Sequence, residues 1–168
     1  MVSLISLATL IEPQDLKPVG SSPRIISATD LPKLADLRLN AYNDGTSRPD
    51  TEKDADRIPA VFEGSHGTLL PHASLLTDDA EGRITAAIIT TERAFSDGPR
   101  TAFIAELFTH PGCRRQGLAE TLLTHAMQAL HETGHKTLAV TVNSSNAAAL
   151  ALYLSRDFRR LAAAVHED

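Results

Sequence analysis

From Glu106 to Ala119 the chain reads Glu-Leu-Phe-Thr-His-Pro-Gly-Cys-Arg-Arg-Gln-Gly-Leu-Ala. A strand-like apolar stretch gives way to a tight polar loop, His110 to Gln116, and an amphipathic helix pattern begins near Gln116. The first turn of a helix carries backbone N–H groups that have no intrahelical acceptor. The helix dipole adds partial positive charge at that end. Gly117 has no side chain and Ala119 almost none, so a ligand can approach the backbone closely, while Arg114 and Arg115 add two full positive charges. Such a loop suits a phosphate or pyrophosphate. It is not a Walker loop, because G-x-x-x-x-G-K-[ST] is absent, and it is not a dinucleotide fingerprint, because G-x-G-x-x-G is absent. The same residues equally suit an ordinary helix start with two solvated arginines.

The elements that must hold this loop follow from periodicity. Arg24 to Ala28 is strand-like, and Thr29 or Asp30 is placed to cap a helix with Pro32 in its first turn. Leu31, Leu34 and Leu37 recur at helical spacing, and 43–50 reads as a loop. A second helix is expected from about Thr51, with Pro59 a candidate break. Ala73 to Thr77 and Arg83 to Thr91 read as a hairpin around Asp78 to Gly82, and Ala102 to Thr109 as the next strand. Leu118, Leu122, Ala126 and Leu130 fall four apart, with Leu123 and Met127 widening the stripe, and Gly134 terminates the helix. Thr137 to Val142 alternates as a strand. A capping-rich loop, Asn143 to Asn146, leads into a helix ending near Ser155, and Phe158 to Val165 is a candidate last strand. The order predicts an α/β fold with a mixed, mostly antiparallel central sheet.

Composition sets the bounds. The 168 residues suit one domain, with 23–168 as that domain and 1–22 as an N-terminal extension ending in Pro/Gly/Ser linker chemistry. Hydrophobic residues make up 42% and charged residues 22%, as in a globular chain. No apolar run reaches the roughly 18 residues of a membrane span. Met1 to Ile11 lacks the basic leader and cleavage site of a secretory signal, so a cytoplasmic location is expected and no membrane partner. A net charge of −5 and an aromatic fraction of 4% argue against nucleic acid as a partner. A single cysteine, Cys113, excludes an intrachain disulfide and a Cys-based zinc site. The seven histidines show no metal-ligand spacing, so no metal is expected.

Two motifs carry a resemblance. Arg114-x-x-Gly117-x-Ala119 resembles the (Gln/Arg)-x-x-Gly-x-(Gly/Ala) motif of the GNAT superfamily of acyl-CoA-dependent N-acetyltransferases. Leu107-Phe-Thr-His-Pro111 is similar to the end of that family's central strand. Asn146-Ala-Ala-Ala149-Leu-Ala-Leu-Tyr153-Leu-Ser-Arg-Asp-Phe158 is similar to its Asn-x-x-Ala-x-x-Leu-Tyr-x-x-x-Gly-Phe signature. The match covers Ala102 to Phe158, and each motif opens a predicted helix. Asp157 stands where the family has glycine, so a different helix exit is expected. About ten residues follow Phe158, too few for the family's final strand pair, and Leu4 to Ile11 is a candidate for a missing strand, in this chain or a partner's.

The resemblance implies a GNAT-like sheet with helices on both faces and transfer of acetyl from acetyl-CoA to a primary amine by direct attack with both substrates bound. The alternative is a non-catalytic acyl-CoA-binding or sensing module of the same fold. An alkylamine with a pKa near 10.4 costs roughly 4 to 5 kcal/mol to neutralise at pH 7, whereas a thiolate is a tolerable leaving group. The resemblance therefore implies Glu106 as the residue that takes the amine proton or attracts the ammonium, directly or through water. It implies Tyr153 as the acid for the thiolate. The backbone of Leu107, Phe108 and Thr109 is expected to pair with pantetheine, with an N–H near Thr109 polarising the thioester. Arg114, Arg115, Gln116, Gly117, Leu118 and Ala119 are expected to hold the diphosphate. Asn146 is equally suited to capping its helix and to contacting pantetheine. Cys113 lies a pantetheine arm away from the acetyl carbon, so Cys113→Ala is expected to remain active. The acceptor region, with Asp44, Asp50, Glu52, Asp54 and Asp56 against Arg48, Lys53 and Arg57, is acidic on balance. That suits a cationic amine, small molecule or protein. A homodimer is compatible with the sequence.

Overall fold

In a computed structural model of the chain, residues 3–16, 22–42, 57–94 and 100–161 are described. The strands among them are β1 (Leu4–Leu10), β2 (Arg24–Ile25), β3 (Thr68–Leu69), β4 (Leu75–Asp78), β5 (Ile84–Ala94), β6 (Arg100–Thr109), β7 (Thr137–Asn143) and β8 (Arg159–Arg160). The helices are α1 (Leu31–Tyr42), α2 (Arg57–Phe62), α3 (Leu118–Glu132) and α4 (Ala147–Ser155). The strands form one sheet in the order β2-β4-β5-β6-β7-β1-β8, with β3 paired to β5. Among the described residues every pairing is antiparallel except β6 with β7.

Burial explains the layering. Ile84 to Thr91 of β5 is buried throughout, as the near-continuous apolar run demands of a strand covered on both faces. On one face Leu122, Leu123, Ala126, Met127 and Leu130 of α3 join Leu138, Val140, Val142 and Phe158. On the other, Leu34, Leu37 and Ala41 of α1 and Ile58 and Val61 of α2 pack on Leu76, Ala87, Ile89 and Phe108. Each fully buried leucine contributes about 1.5–3 kcal/mol, so the four-apart stripe on α3 is enough to fix that helix on the sheet.

Three local expectations change. The cap before α1 is formed by Ser27, not by Thr29 or Asp30. Asp30 instead reaches back, its Oδ2 accepting from the Ser27 N–H at 2.8 Å and the Ser27 hydroxyl at 3.1 Å. Pro59 does not break α2; it is the third of the described helical residues Arg57–Phe62. The expected start of that helix near Thr51, and the acidic stretch at 43–56, lie outside the described residues. The last strand is two residues long up to Arg160.

Leu4–Leu10 lies in the sheet of its own chain. It pairs antiparallel with β7 from Leu4↔Asn143 to Leu10↔Thr137, and Leu7 and Ala8 pair on the other side with Arg160 and Arg159. Leu7 is fully buried in the α3 core. The strand that lies between β7 and β8 is thus contributed by the N-terminal segment.

Candidate active site

The site begins where two strands part. β6 and β7 pair only at Ala102↔Leu138, Phe103↔Ala139 and Ile104↔Val140. Beyond Ile104 they diverge, opening a cleft of about 170 Å³ between Ala105–Leu107 and Thr141–Asn143, with Asn146, Ala149 and Tyr153 closing one side. A bulge lies at the same place: Ile89 faces Glu106 and Thr90 faces Ile104, which leaves Ala105 as an extra residue on β6. Past the bulge β6 is held on its other edge by β5. His110 donates its N–H to the Thr85 carbonyl at 2.8 Å. Main-chain groups alternate sides along a strand, so the N–H groups of Leu107 and Thr109 point the other way, into the cleft.

The cleft runs into a groove of about 550 Å³ along the loop and the start of α3. The loop is set by three local features. Pro111–Cys113 is a single 3₁₀ turn whose Gly112 N–H donates to His110 Nδ1 at 2.9 Å. Arg115 and Gly117 both have left-handed backbones, at φ 68° and 76°. Thr121 then makes the first backbone bond of the helix, to the Gly117 carbonyl at 2.9 Å. Among the described residues, no protein group accepts from the N–H of Leu118, Ala119 or Glu120. A Cβ built on Gly117 meets nothing within 4 Å. This helix start is open, unlike one sealed by its own side chains, and it can receive an anion. Arg115 and Gln116 are exposed beside it. The Arg114 guanidinium is turned toward α1, donating to the Ala41 carbonyl at 2.8 Å. It complements the C-terminal end of that helix, and Arg114 also lines the groove.

α4 supplies the far wall. Asn146 caps it, Oδ1 accepting from the Ala149 N–H at 3.1 Å, and its side chain lines both cleft and groove. Two turns on, Tyr153 lies where cleft meets groove, 3% exposed, its ring packed on Phe158 at 5.1 Å between centroids. The helix ends as a glycine-terminated helix would, although the residue is Asp157. Asp157 takes φ 70°, its N–H donates to the Leu154 carbonyl at 3.2 Å, and Phe158 donates to the Tyr153 carbonyl at 3.1 Å. That turn places Phe158 under Tyr153.

Glu106, at the bulge, is 4% exposed. Its Oε1 accepts from Arg38 Nε of α1 at 2.9 Å and its Oε2 from Arg57 Nε of α2 at 2.6 Å. Arg57 also reaches the Ala105 carbonyl at 3.4 Å. His66 lies close by, with its imidazole pushed below its ordinary value by burial and then by the Arg57 charge. Cys113, half-buried, lies in the groove near the loop.

The profile of the acetyltransferase (GNAT) family matches residues 32–158. The chain belongs to this family. It is similar to the [ribosomal protein bS18]-alanine N-acetyltransferase of Salmonella typhimurium, with 31% identity over 134 residues, 80% of this chain and 78% of that one. The crystal structure of the ribosomal-protein-S18-alanine N-acetyltransferase from Escherichia coli superposes with a TM-score of 0.64 and 27% identity, covering 84% of this chain and 79% of that one. A GCN5-related N-acetyltransferase from Sphaerobacter thermophilus shares the fold with a TM-score of 0.69 at 16% identity; 95% of this chain corresponds to 49% of that longer one. The protein is a GNAT N-acetyltransferase, an acyltransferase of the family that uses acetyl-CoA as cosubstrate.

The GNAT fold brings the expected residues together. Leu107, Phe108, Thr109, Arg114, Arg115, Gly117, Leu118, Ala119, Asn146 and Tyr153 all line one continuous cleft and groove, whereas Gln116 is exposed and lines neither. Glu106 lines the cleft but is bound on both oxygens. Sequence reasoning missed Arg38 as its partner. Arg38 lies 68 positions away, and only its place on α1 beside Leu34 and Leu37 hinted at an inward guanidinium. Among the described residues no helix is long and apolar enough to cross a membrane.

Proposed function

We propose that the protein moves the acetyl group of acetyl-CoA to a primary amine in the cleft between β6 and β7, with Tyr153 giving its proton to the departing sulfur. The observation that carries this reading is the parting of the two strands after Ile104. It leaves unpaired main chain of β6 facing a cleft that leads, past Tyr153, to the open amides of α3.

Acetyl-CoA fits this chain on two counts. Open space before Gly117 and three helix N–H groups without acceptors suit a diphosphate. The inward Leu107 and Thr109 amides suit a strand-like arm such as pantetheine. In this reading Arg115, Gln116, Gly117, Leu118 and Ala119 hold the diphosphate with the backbone of Arg114, and Phe108 and the Asn146 side-chain N–H groups flank the arm. When bound, acetyl-CoA supplies an activated acetyl thioester. The Thr109 N–H polarises a carbonyl oxygen placed against it. Tyr153, buried against Phe158, is held in one rotamer and delivers its proton at one point.

The acceptor enters from the side of α1 and α2 and is cationic at neutral pH, as amines are. The Salmonella and Escherichia coli relatives are named for an alanine of a ribosomal protein. A peptide amine is therefore the first acceptor class, ahead of a free small-molecule amine. Acetyl-CoA consumption across polyamines, aminoglycosides, amino acids and peptides with free N-termini tests the reading. Turnover with one class is expected; CoA binding without turnover on any of them contradicts it.

A further inference from the structure

The cleft crosses the sheet, and its two faces carry different groups. Side chains alternate along β7. Val140 and Val142 join the α3 core, with Leu7 and Ile5 of β1 opposite them. Thr141 and Asn143 therefore lie on the other face, opposite Ser6 and Leu4. That is the face of α1 and α2, to which Glu106 also turns, held by Arg38 and Arg57. Tyr153 and Ala149 of α4 line the cleft from the α3 side.

The polar side chains near Asn143 have partners. Both Glu106 oxygens accept from arginines. The Thr141 hydroxyl meets Ser6 Oγ at 3.4 Å, and the Ser145 hydroxyl donates to Asn143 Oδ1 at 2.7 Å. Asn143 Oδ1 also accepts the Ser145 backbone N–H at 2.9 Å. A backbone N–H can only donate, so this contact fixes which end of the amide is oxygen and which is nitrogen. Among the described residues no group accepts from Nδ2. The turn that carries the amide is tied down as well. Asn146 donates its N–H to the Asn143 carbonyl at 2.9 Å, and Ser144 donates to the Ser3 carbonyl at 2.8 Å. Asn143 thus brings a preset pair of N–H donors, half-buried, to the wall of the cleft. Such a pair recognises an oxygen; it has nothing to offer an ammonium, which only donates.

We infer that Asn143 is a specificity-determining residue for the transfer: its side-chain amide donates to a carbonyl oxygen that the acceptor carries beside the reacting amine. This rests on the transfer reading above. Two asparagines then serve the two faces of the cleft, Asn146 the pantetheine arm and Asn143 the acceptor. Amines without such an oxygen forgo the contact, and CoA binding does not depend on it.

The decisive variant is Asn143→Asp. Its carboxylate keeps an oxygen for the Ser145 groups, so the turn survives, but it has no N–H to give. The full-length enzyme is assayed with acetyl-CoA and two acceptors: a peptide with a free N-terminal alanine, and the same peptide with its first carbonyl reduced to a methylene. The readout is the ratio of their kcat/KM values. The basicity of each amine is the same for wild type and variant, so it cancels in the comparison. Losing one neutral hydrogen bond should lower the ratio roughly 3- to 10-fold in Asn143→Asp, and at least as much in Asn143→Ala, with the CoA Kd within twofold of wild type. A ratio unchanged in Asn143→Asp would overturn the inference; if it fell only in Asn143→Ala, the residue would be a turn former and no more. Should Asn143→Asp not fold, the wild-type protein decides. With CoA bound, the side-chain amide resonances of labelled Asn143 should move on titration with the intact peptide and stay in place with the reduced one; resonances that move equally with both, or with neither, would overturn it. Turnover confined to amines without a neighbouring carbonyl would sink the inference and leave acetyl transfer standing, whereas turnover of no amine at all would remove acetyl transfer itself.

Discussion

Replacing Gly117 with alanine separates two effects that the site combines. Gly117 has φ 76°, and an L-residue in that left-handed region costs about 1–2 kcal/mol. For a chain of this size each kcal/mol lowers Tm by roughly 2–4 °C, so Gly117→Ala should melt roughly 2–8 °C lower. The new methyl touches no protein atom within 4 Å, so no steric loss adds to this. It adds bulk to the groove wall that Gly117 shares with Leu118, Ala119 and Glu120, where a phosphate oxygen must come within about 2.9 Å of nitrogen. Losing one hydrogen bond to a charged group costs about 1.5–3 kcal/mol, or roughly a 10- to 150-fold rise in the Kd of CoA. Gly82 provides the control. It has φ 80°, nothing within 4 Å, and sits in the β4–β5 turn away from the groove. Gly82→Ala should lose similar stability and bind CoA normally. Isothermal titration with CoA and thermal melts on both variants make the comparison. A Gly117→Ala protein that binds CoA within twofold of wild type would refute the reasoning.

Other outcomes follow from single side chains. Tyr153→Phe should lower kcat roughly 10- to 100-fold with the CoA Kd unchanged, because the thiolate is already a tolerable leaving group; an unchanged kcat in steady-state assays removes Tyr153 from the chemistry. Asp157→Gly should raise stability by about 0.5–1 kcal/mol, since Asp157 carries φ 70° where glycine is unstrained; a lower Tm would show that its side chain contributes something the backbone argument omits. Asp30→Asn should cost about 2 kcal/mol. Arg24 and the Ser27 groups lower the Asp30 carboxyl from an ordinary 3.8 to about 2, and burial does not reverse that. Its folded-state value is depressed, so this stability is complete above about pH 4 and disappears as pH falls through about 2. Denaturant titrations of both proteins at pH 7 and pH 2.5 should show the gap shrinking.

The sequence carried the local parts of this site well and its long-range contacts poorly. Helix α3 and the hairpin β4–β5 were legible because an apolar stripe four residues apart and a turn-flanked strand pair are local patterns. The Arg114–Ala119 loop was legible for the same reason: its chemistry is that of a helix start. Two things were not. The Arg38–Glu106–Arg57 cluster joins three elements, and no local signal distinguishes an arginine that reaches a buried carboxylate from one that faces water. The bulge at Ala105 depends on the register of β5 against β6, which no single strand encodes. Asp157 was misread for another reason. The φ of 70° belongs to the helix exit and not to the residue, and aspartate tolerates it well enough for the turn to survive. The strand Leu4–Leu10 was visible as a short apolar run, but its slot between β7 and β8 was not.

The account depends on the start of α3 gripping the diphosphate of CoA while β6 holds the arm. Backbone amide shifts of the labelled protein, titrated with CoA and then with pantetheine, which lacks the diphosphate, test this most directly. The account predicts that CoA moves the amides of Gly117, Leu118, Ala119 and Glu120 together with those of Leu107 and Thr109, and that pantetheine moves only the second set. Amides at Gly117 to Glu120 that stay in place at saturating CoA would contradict it.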